Sequence, residues 1–510
     1  MKEEHDRIKP SDGTRMALPP RLVIAAPHGR SGKPTITIAL GRALSERGMV
    51  VQPFKKGPDF IDPSWLSVAC GRACRNLDAF MMGHEAVAAS FARASYDADV
   101  ALIEGAMGLY DGIGPEGEGS TAHLARTLGA PVILVINTER MARSVAALVN
   151  GYRYFEPETD VAGIILNNVA GRRHEEKMRE AIGLYCGIPV LGAVPKGRRP
   201  DIGERHLGLT PTIENARRDT LIEGITRRAG ANLDLDGIIG VAKRAADHRV
   251  PVPVHTATHE SGCRIGVFRD KAFSFYYPEN LEALREADAE LVMIDAVAGD
   301  RLPAVDGLYL GGGFPELYLE ELETNRPLRE GVAAAVEQGL PVYAECGGLM
   351  YLCTAIEWHG RRYEMAGVIP AEVKLTPHPQ AHGYAEVEVT GANGFFPHGT
   401  IVRGHEFHHS RLTATGELCH ALTVRRGQGI DGQHDGIVYK NLFASYLHLH
   451  AMGTPEWAEN FVSLVQRYRD SRFKEHGSMM SGPAEQQQLH GRQAKSSRCA
   501  KCKSWRAEAC

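Results

Sequence analysis

From residue 21 onward the chain alternates short, unbroken apolar runs with longer stretches whose apolar positions recur at helical spacing. The runs at 21–25, 100–103, 132–136 and 163–166 read as strands buried on both faces. The stretches 35–48, 144–151 and 173–185 read as the helices that separate them. Strands alternating with helices in this way predict a doubly wound parallel sheet. A second series of the same kind opens at Arg264, with strands at 291–294, 307–310 and 340–344. A β-rich part follows near 383–389 and 399–403, and this second core is expected to end near Tyr468. Between the two series lies VPVPVHTATHESG, whose prolines and small polar residues mark a linker. The predicted organisation is therefore a disordered arm (1–19), an α/β domain (20–249), the linker (250–262), a second α/β domain (263–469) and a polar, disordered tail (470–510).

Composition narrows the class without naming it. A chain of 510 residues can bury substantial cores, and its formal net charge of −4 gives no electrostatic case for nucleic acid or a membrane surface. No apolar run approaches the roughly 20 residues that span a bilayer. The polar N-terminus does not read as a signal peptide, so the expectation is a cytoplasmic protein with reduced thiols. Of the ten cysteines, Cys70, Cys74, Cys186, Cys353 and Cys419 read as single buried thiols. Cys499 and Cys502 form one CxxC in the tail, accompanied by Cys510 and His490. A zinc site commonly uses two such pairs, so exposed thiols are the expectation there.

The turn after the first strand reads Ala26-Pro-His-Gly-Arg-Ser-Gly-Lys-Pro-Thr35, close to a P-loop. Such a loop aims backbone N–H groups at phosphate oxygens just ahead of a helix N-terminus, and Lys33 would neutralise the outer phosphates. Pro27 replaces the usual first glycine. Pro34 occupies the position of the magnesium-binding hydroxyl, which Thr35 or Ser31 would have to supply. Proline itself is tolerated in a first helical turn. Two acidic segments, carrying Asp59 with Asp62 and Glu104 with Asp111, each follow an apolar strand. They would emerge at the carboxyl edge of the sheet beside the loop, where ligands bind in open α/β folds and carboxylates can hold magnesium.

In the second half, an apolar strand runs into Glu345-Cys346-Gly347-Gly348. A nucleophile at a sharp strand-to-helix turn needs small neighbours, and a following helix N-terminus favours the thiolate. Leu310-Gly-Gly-Gly-Phe-Pro-Glu316 provides a second glycine turn whose N–H groups, at Gly312 and Gly313 together with Gly347, could stabilise an oxyanion. A base is needed to activate the thiol. SYLHLH offers His448 and His450, which share one face at strand alternation.

These motifs resemble the cobyrinic acid a,c-diamide synthase family along nearly all of residues 20–468. The matching segments are PFKKGPDFIDP, CRNLDAFMM, EGAMGLYDG, STAHLA, ARSVAALV and ERHLGL in the first half. In the second they are AFSFYYPENLEAL, LYLGGGFPELY, YAECGGLMYL, RGHEFHHS and SYLHLH. The resemblance implies a dethiobiotin synthetase-like P-loop domain joined to a class I-type glutamine amidotransferase domain. It implies an ATP- and Mg2+-dependent ligase that amidates acetate side chains of a tetrapyrrole with ammonia from L-glutamine. Carried onto this chain, Gly29, Ser31, Gly32, Lys33 and Thr35 would contact ATP. Asp59, Asp62 and Glu104 would serve the metal, Asp111 would assist at the reacting carboxylate, and Asn167 would read the adenine. Cys346 would be the nucleophile and His448 its base. Many relatives carry Glu two residues after that histidine, whereas this chain has His450, as the cobyrinate-type branch commonly lacks the acid. Cobyrinate is the family's default ring, with sirohaem or nickel-sirohydrochlorin as alternatives. A tetrapyrrole carrier impaired by Pro34 and a ParA-like partitioning ATPase are the competing classes. Oligomeric state is not encoded in any motif, and a homodimer is kept as a possible arrangement.

Overall fold

The computed structural model describes residues 15–197, 204–205, 208–251 and 262–480. The chain divides into two compact units, Met1–His255 and Thr256–Cys510. The tail cysteines and His490 lie outside the described residues.

The first unit is built on a seven-stranded sheet in the order Arg75–Leu77, Val51–Lys56, Val100–Glu104, Arg21–Ala25, Val132–Asn137, Val161–Val169, Val190–Pro195. Every neighbouring pair in it is parallel. Residues such as Leu22, Val23, Ile24, Leu102 and Ile133 are fully buried. Helices cover both faces of such a sheet, so its central strands need apolar side chains in both directions, which is why they read as unbroken runs. The helix after the first strand spans Lys33–Glu46, starting slightly earlier than its periodicity suggests, with Pro34 in its first turn.

The second unit carries a mixed ten-stranded sheet. Its parallel half runs Ala289–Ile294, Cys263–Phe268, Gly307–Leu310, Val342–Glu345 and Leu442–Ser445. It continues antiparallel through His434–Tyr439, His420–Arg426, Ala381–Val389, Ile401–His408 and His448–Leu449. A separate four-stranded sheet holds Cys353–Trp358, Arg361–Glu364, Ile369–Leu375 and Ser410–Ala414.

The structure departs from the sequence reading at the margins. Arg15–Ala17, inside the expected arm, pairs antiparallel with Arg249–Pro251 at the expected linker. Met16 and Leu18 pack there against buried Val250 and Ala92, a small apolar cluster too brief to register as periodicity. The last helix spans Glu456–Met480 and so crosses the expected start of the tail. Its first turns are anchored by Trp457, Phe461 and Val465, none of them exposed, and propagation from an anchored turn is easy. Cys70, Cys74, Cys186 and Cys353 are buried free thiols, but Cys419 is only half-buried.

Candidate functional site

In the first unit the glycine-rich loop is held from below. Gly32 adopts a left-handed φ of 95° as the residue preceding the helix. Asn167 donates from Nδ2 to the Ser31 carbonyl at 2.9 Å, and its amide lies so close to Gly32 that any Cβ there would overlap it. Asn167 therefore supports the loop backbone. Ser31 Oγ donates to the His28 carbonyl at 2.9 Å, which leaves half-buried Thr35 in the first helical turn as the better-placed hydroxyl for a metal. The Lys33 ammonium donates to the Met107 carbonyl at 2.5 Å. Burial pushes its pKa from 10.5 down to about 8, with Lys55 adding to the fall and Glu104, Asp62 and Asp111 opposing it. Asp111 accepts from the Gly108 N–H at 2.8 Å and so braces the loop that Lys33 touches.

The predicted acids Asp59, Asp62 and Glu104 do converge, but around a cation the sequence reading passed over. Lys55 Nζ lies 2.6 Å from both Asp62 Oδ2 and Glu104 Oε1, and 3.6 Å from Asp59 Oδ2. The ammonium is buried, and despite that burial its carboxylate neighbours hold its pKa well above the ordinary value. Glu104 is fully buried, and burial pushes its carboxyl up to about 8. Its Oε2 faces no N–H or O–H donor. Among the described residues no set of three or more His, Cys, Asp or Glu is arranged to hold a metal. Magnesium, however, commonly binds through one or two carboxylates plus substrate phosphates. The hard oxygens of Asp62 and Glu104, one of them lacking a donor, fit that pattern. The available signal for Lys55 was a lysine at the end of an otherwise buried strand, a place lysine rarely occupies without partners.

In the second unit Cys346 sits between the strand Val342–Glu345 and the helix Gly347–Leu352, with φ 44° and ψ −97°. A non-glycine residue in that conformation stores strain of about 1–3 kcal/mol, a feature that clusters at functional sites. Its N–H donates to the Ser445 carbonyl at 2.8 Å, and its thiol lies 3.8 Å from the Phe407 carbonyl. The Gly311–Gly313 turn packs directly beneath. Gly348 N–H donates to the Gly311 carbonyl at 3.1 Å, and a Cβ on Gly347 would come within 3.2 Å of the Gly313 nitrogen. The His448 ring lies over Gly312, where a Cβ would be 3.2 Å from Nε2. Cys346, Gly312, Gly313, Gly347 and His448 are thus brought together. Gly311 N–H is donated to Tyr276 Oη at 2.7 Å, which anchors the start of the turn.

Around His448 the polar groups are dense and buried. His405 stacks on it at 4.9 Å, and burial pushes the His405 pKa well below its ordinary value, with His448 and His382 adding to the fall. Glu345 Oε2 is 3.5 Å from His448 Nδ1. His450 turns elsewhere, with Nε2 3.6 Å from Glu279 Oε2 and its ring against Tyr277. Arg403 pairs with Glu386, and Glu406 accepts backbone N–H groups of Gln428 and Gly429. Burial, Glu316 and Glu345 all raise the Cys346 pKa, against a lowering contact from the Gly347 N–H.

Residues 22–207 match the CobQ/CobB/MinD/ParA nucleotide binding domain, and residues 264–455 match the CobB/CobQ-like glutamine amidotransferase domain. A nucleotide-binding domain fused to an ammonia-generating one defines a glutamine-dependent amidoligase that uses ATP. Three relatives, each called cobyrinate a,c-diamide synthase, extend the match over the chain. That of Magnetococcus marinus is 47% identical, covering 89% of this chain and 98% of its own length. That of Archaeoglobus fulgidus is 42% identical over 88% of this chain and 98% of its own. That of Methanosarcina barkeri is 39% identical over 89% of this chain and 97% of its own. The chain belongs to the cobyrinate a,c-diamide synthase family. No helix among the described residues is long and apolar enough to cross a membrane.

Proposed function

We propose that this protein amidates the a and c acetate side chains of cobyrinate, using ATP to activate each carboxylate and L-glutamine as the nitrogen source. The observation that carries the reading is the strained Cys346 turn, with His448 laid over the adjoining Gly312. In the second unit the thiol sulfur attacks the glutamine carboxamide carbon while its proton passes to the His448 imidazole. A thioester forms, the C–N bond breaks, and the proton leaves with ammonia. Water then releases glutamate.

In the first unit a substrate carboxylate attacks the γ-phosphorus of ATP, and the acyl phosphate so formed loses phosphate to ammonia. A carboxylate is a poor electrophile because its charge is delocalised, and the phosphate converts it into one with a good leaving group. Gly29, Gly32 and Lys33 are assigned to the polyphosphate, where a fixed positive charge stabilises transfer. Thr35, Asp62 and Glu104, with Asp59 behind them, would hold a magnesium ion arriving with ATP. When bound, that ion supplies neutralisation of the phosphate charge. Asp111 is assigned to the reacting carboxylate through the loop it braces. The test is glutamate release and ring amidation by the Cys346→Ser protein. Glutamine-dependent amidation should vanish while amidation from ammonium salts survives, and undiminished glutamate release would sink the reading.

A further inference from the structure

The position two residues after His448, where an orienting acid would complete a triad, is occupied by His450, which turns to Glu279. We infer that Glu345, the residue immediately before the nucleophile, takes that role and orients His448. The inference rests on the proposed function and deepens it by adding a positioning residue.

The geometry is specific. Glu345 ends the strand Val342–Glu345, which pairs in parallel with Leu442–Ser445, so its backbone lies opposite Ser445, three residues before His448. Its carboxylate is buried, with only 2% of the side chain exposed, as is that of His448. Oε2 faces His448 Nδ1 at 3.5 Å and accepts from Tyr309 Oη at 3.2 Å. Oε1 accepts from Tyr343 Oη and from the Leu449 N–H, each at 3.4 Å. Three donors, the Tyr309 and Tyr343 hydroxyls and the Leu449 N–H, therefore fix one carboxylate within ion-pair distance of His448. The other titratable groups facing His448 are His405, stacked on it, and His408, whose charge it also feels. Neither is anionic, so Glu345 is the carboxylate set against this ring in the described structure. Holding the proton on Nδ1 leaves Nε2, the nitrogen nearer Gly312, to accept from the thiol. Once the proton has moved from Sγ to Nε2, the buried carboxylate stabilises the imidazolium. No proton needs to reach Glu345.

Two measurements test this. In the wild-type protein labelled with 15N-histidine, the resting His448 should show the proton on Nδ1, and a resting proton on Nε2 would overturn the assignment. Glu345→Gln keeps the size and an acceptor for the tyrosines while removing the charge. Its kcat for glutamate release should fall by about 100-fold or more, as loss of an orienting acid does elsewhere. KM for glutamine and ammonium-driven amidation should each stay within about twofold. Glutamate release within about threefold of wild type would overturn the proposal. Parallel loss of both nitrogen routes with a lowered Tm would overturn it too, by revealing a structural role only. If the wild type releases no glutamate at all, the proposed function fails, and the tautomer still decides the place of Glu345.

Discussion

Replacing Gly32 by alanine perturbs one backbone position and reads out on ATP alone. Gly32 holds φ 95°, and a left-handed conformation costs an L-residue about 1–2 kcal/mol. The new methyl would overlap Asn167 Nδ2, so the amide must leave the Ser31 carbonyl it donates to at 2.9 Å. Losing that buried hydrogen bond adds about 1 kcal/mol. The expected loss is about 2–3 kcal/mol in the phosphate-binding conformation. At about 1.4 kcal/mol per tenfold this is a fall of about 30- to 140-fold in kcat/KM for ATP. The assay is ring amidation at saturating glutamine with ATP varied, beside a thermal melt to verify folding. The pairwise term is also predicted. Asn167→Ala alone should cost about 1 kcal/mol, and the double variant should be no worse than Gly32→Ala, because the overlap has been removed. Additivity would make it worse by that same amount. An ATP kcat/KM within twofold of wild type for Gly32→Ala, or strict additivity in the double variant, would refute the reasoning.

Lys55→Met removes the cation that pairs with Asp59, Asp62 and Glu104, and breaking a buried pair from one side costs about 3–5 kcal/mol, visible as an early melt of the first unit. An unchanged melt would show that those acids do not depend on it. Lys33, pushed down to about 8 in the free protein, must be protonated to meet phosphate. KM for ATP should therefore rise above pH 8 by up to about tenfold per unit, and Lys33→Arg should flatten the profile. A flat wild-type profile from pH 7 to about 9.5 would count against its contact with phosphate. Burial lowers the His408 pKa from 6.5 to about 4. Its contribution to stability is present above 6.5 and is lost as pH falls from 6.5 toward 4, about 3 kcal/mol in all. The unfolding free energy from urea melts should change across that interval by about 3 kcal/mol more in the wild type than in His408→Gln, and an identical pH dependence would exclude the effect.

The central parallel strands were legible because strands buried on both faces are written as unbroken apolar runs, and Leu22–Ile24 or 132–136 could hardly serve another purpose, whereas strands such as Cys353–Trp358, Ile369–Leu375 and His434–Tyr439 were not read. Cys346 and the Gly311–Gly313 turn were legible because a tight backbone approach demands glycine at fixed places. What stayed hidden were pairings between distant segments. Met16 and Leu18 meet Val250 across more than two hundred residues, and no local period encodes that. Asn167 looked like a strand-end residue free to read a base. Only the parallel register that sets its strand beside the loop reveals its hold on Ser31. Lys55 and Glu345 share one overlooked signature, a buried charged residue in the last two positions of a buried strand just before the site's named residues. Such a residue must find partners, and in each case its partners are the site.

The electrostatics at Cys346 constrain how the thiol is activated. Burial and the carboxylates of Glu316, Glu345 and Asp435 raise its pKa, and the helix beyond it, Gly347–Leu352, is too short for a strong opposing field. The resting nucleophile is therefore the neutral thiol, not a standing thiolate. Glu345 acts on both partners with opposite sense. It disfavours a negative sulfur, and it favours a positive His448. On the proposed mechanism the thiolate cost is relieved only when the sulfur's charge passes into a bound carboxamide and on to an oxyanion that the Gly312 and Gly313 N–H groups would hold. The same carboxylate that keeps the empty site quiet lowers the barrier once glutamine is present. Ammonia release is thereby tied to occupancy of the site by its substrate.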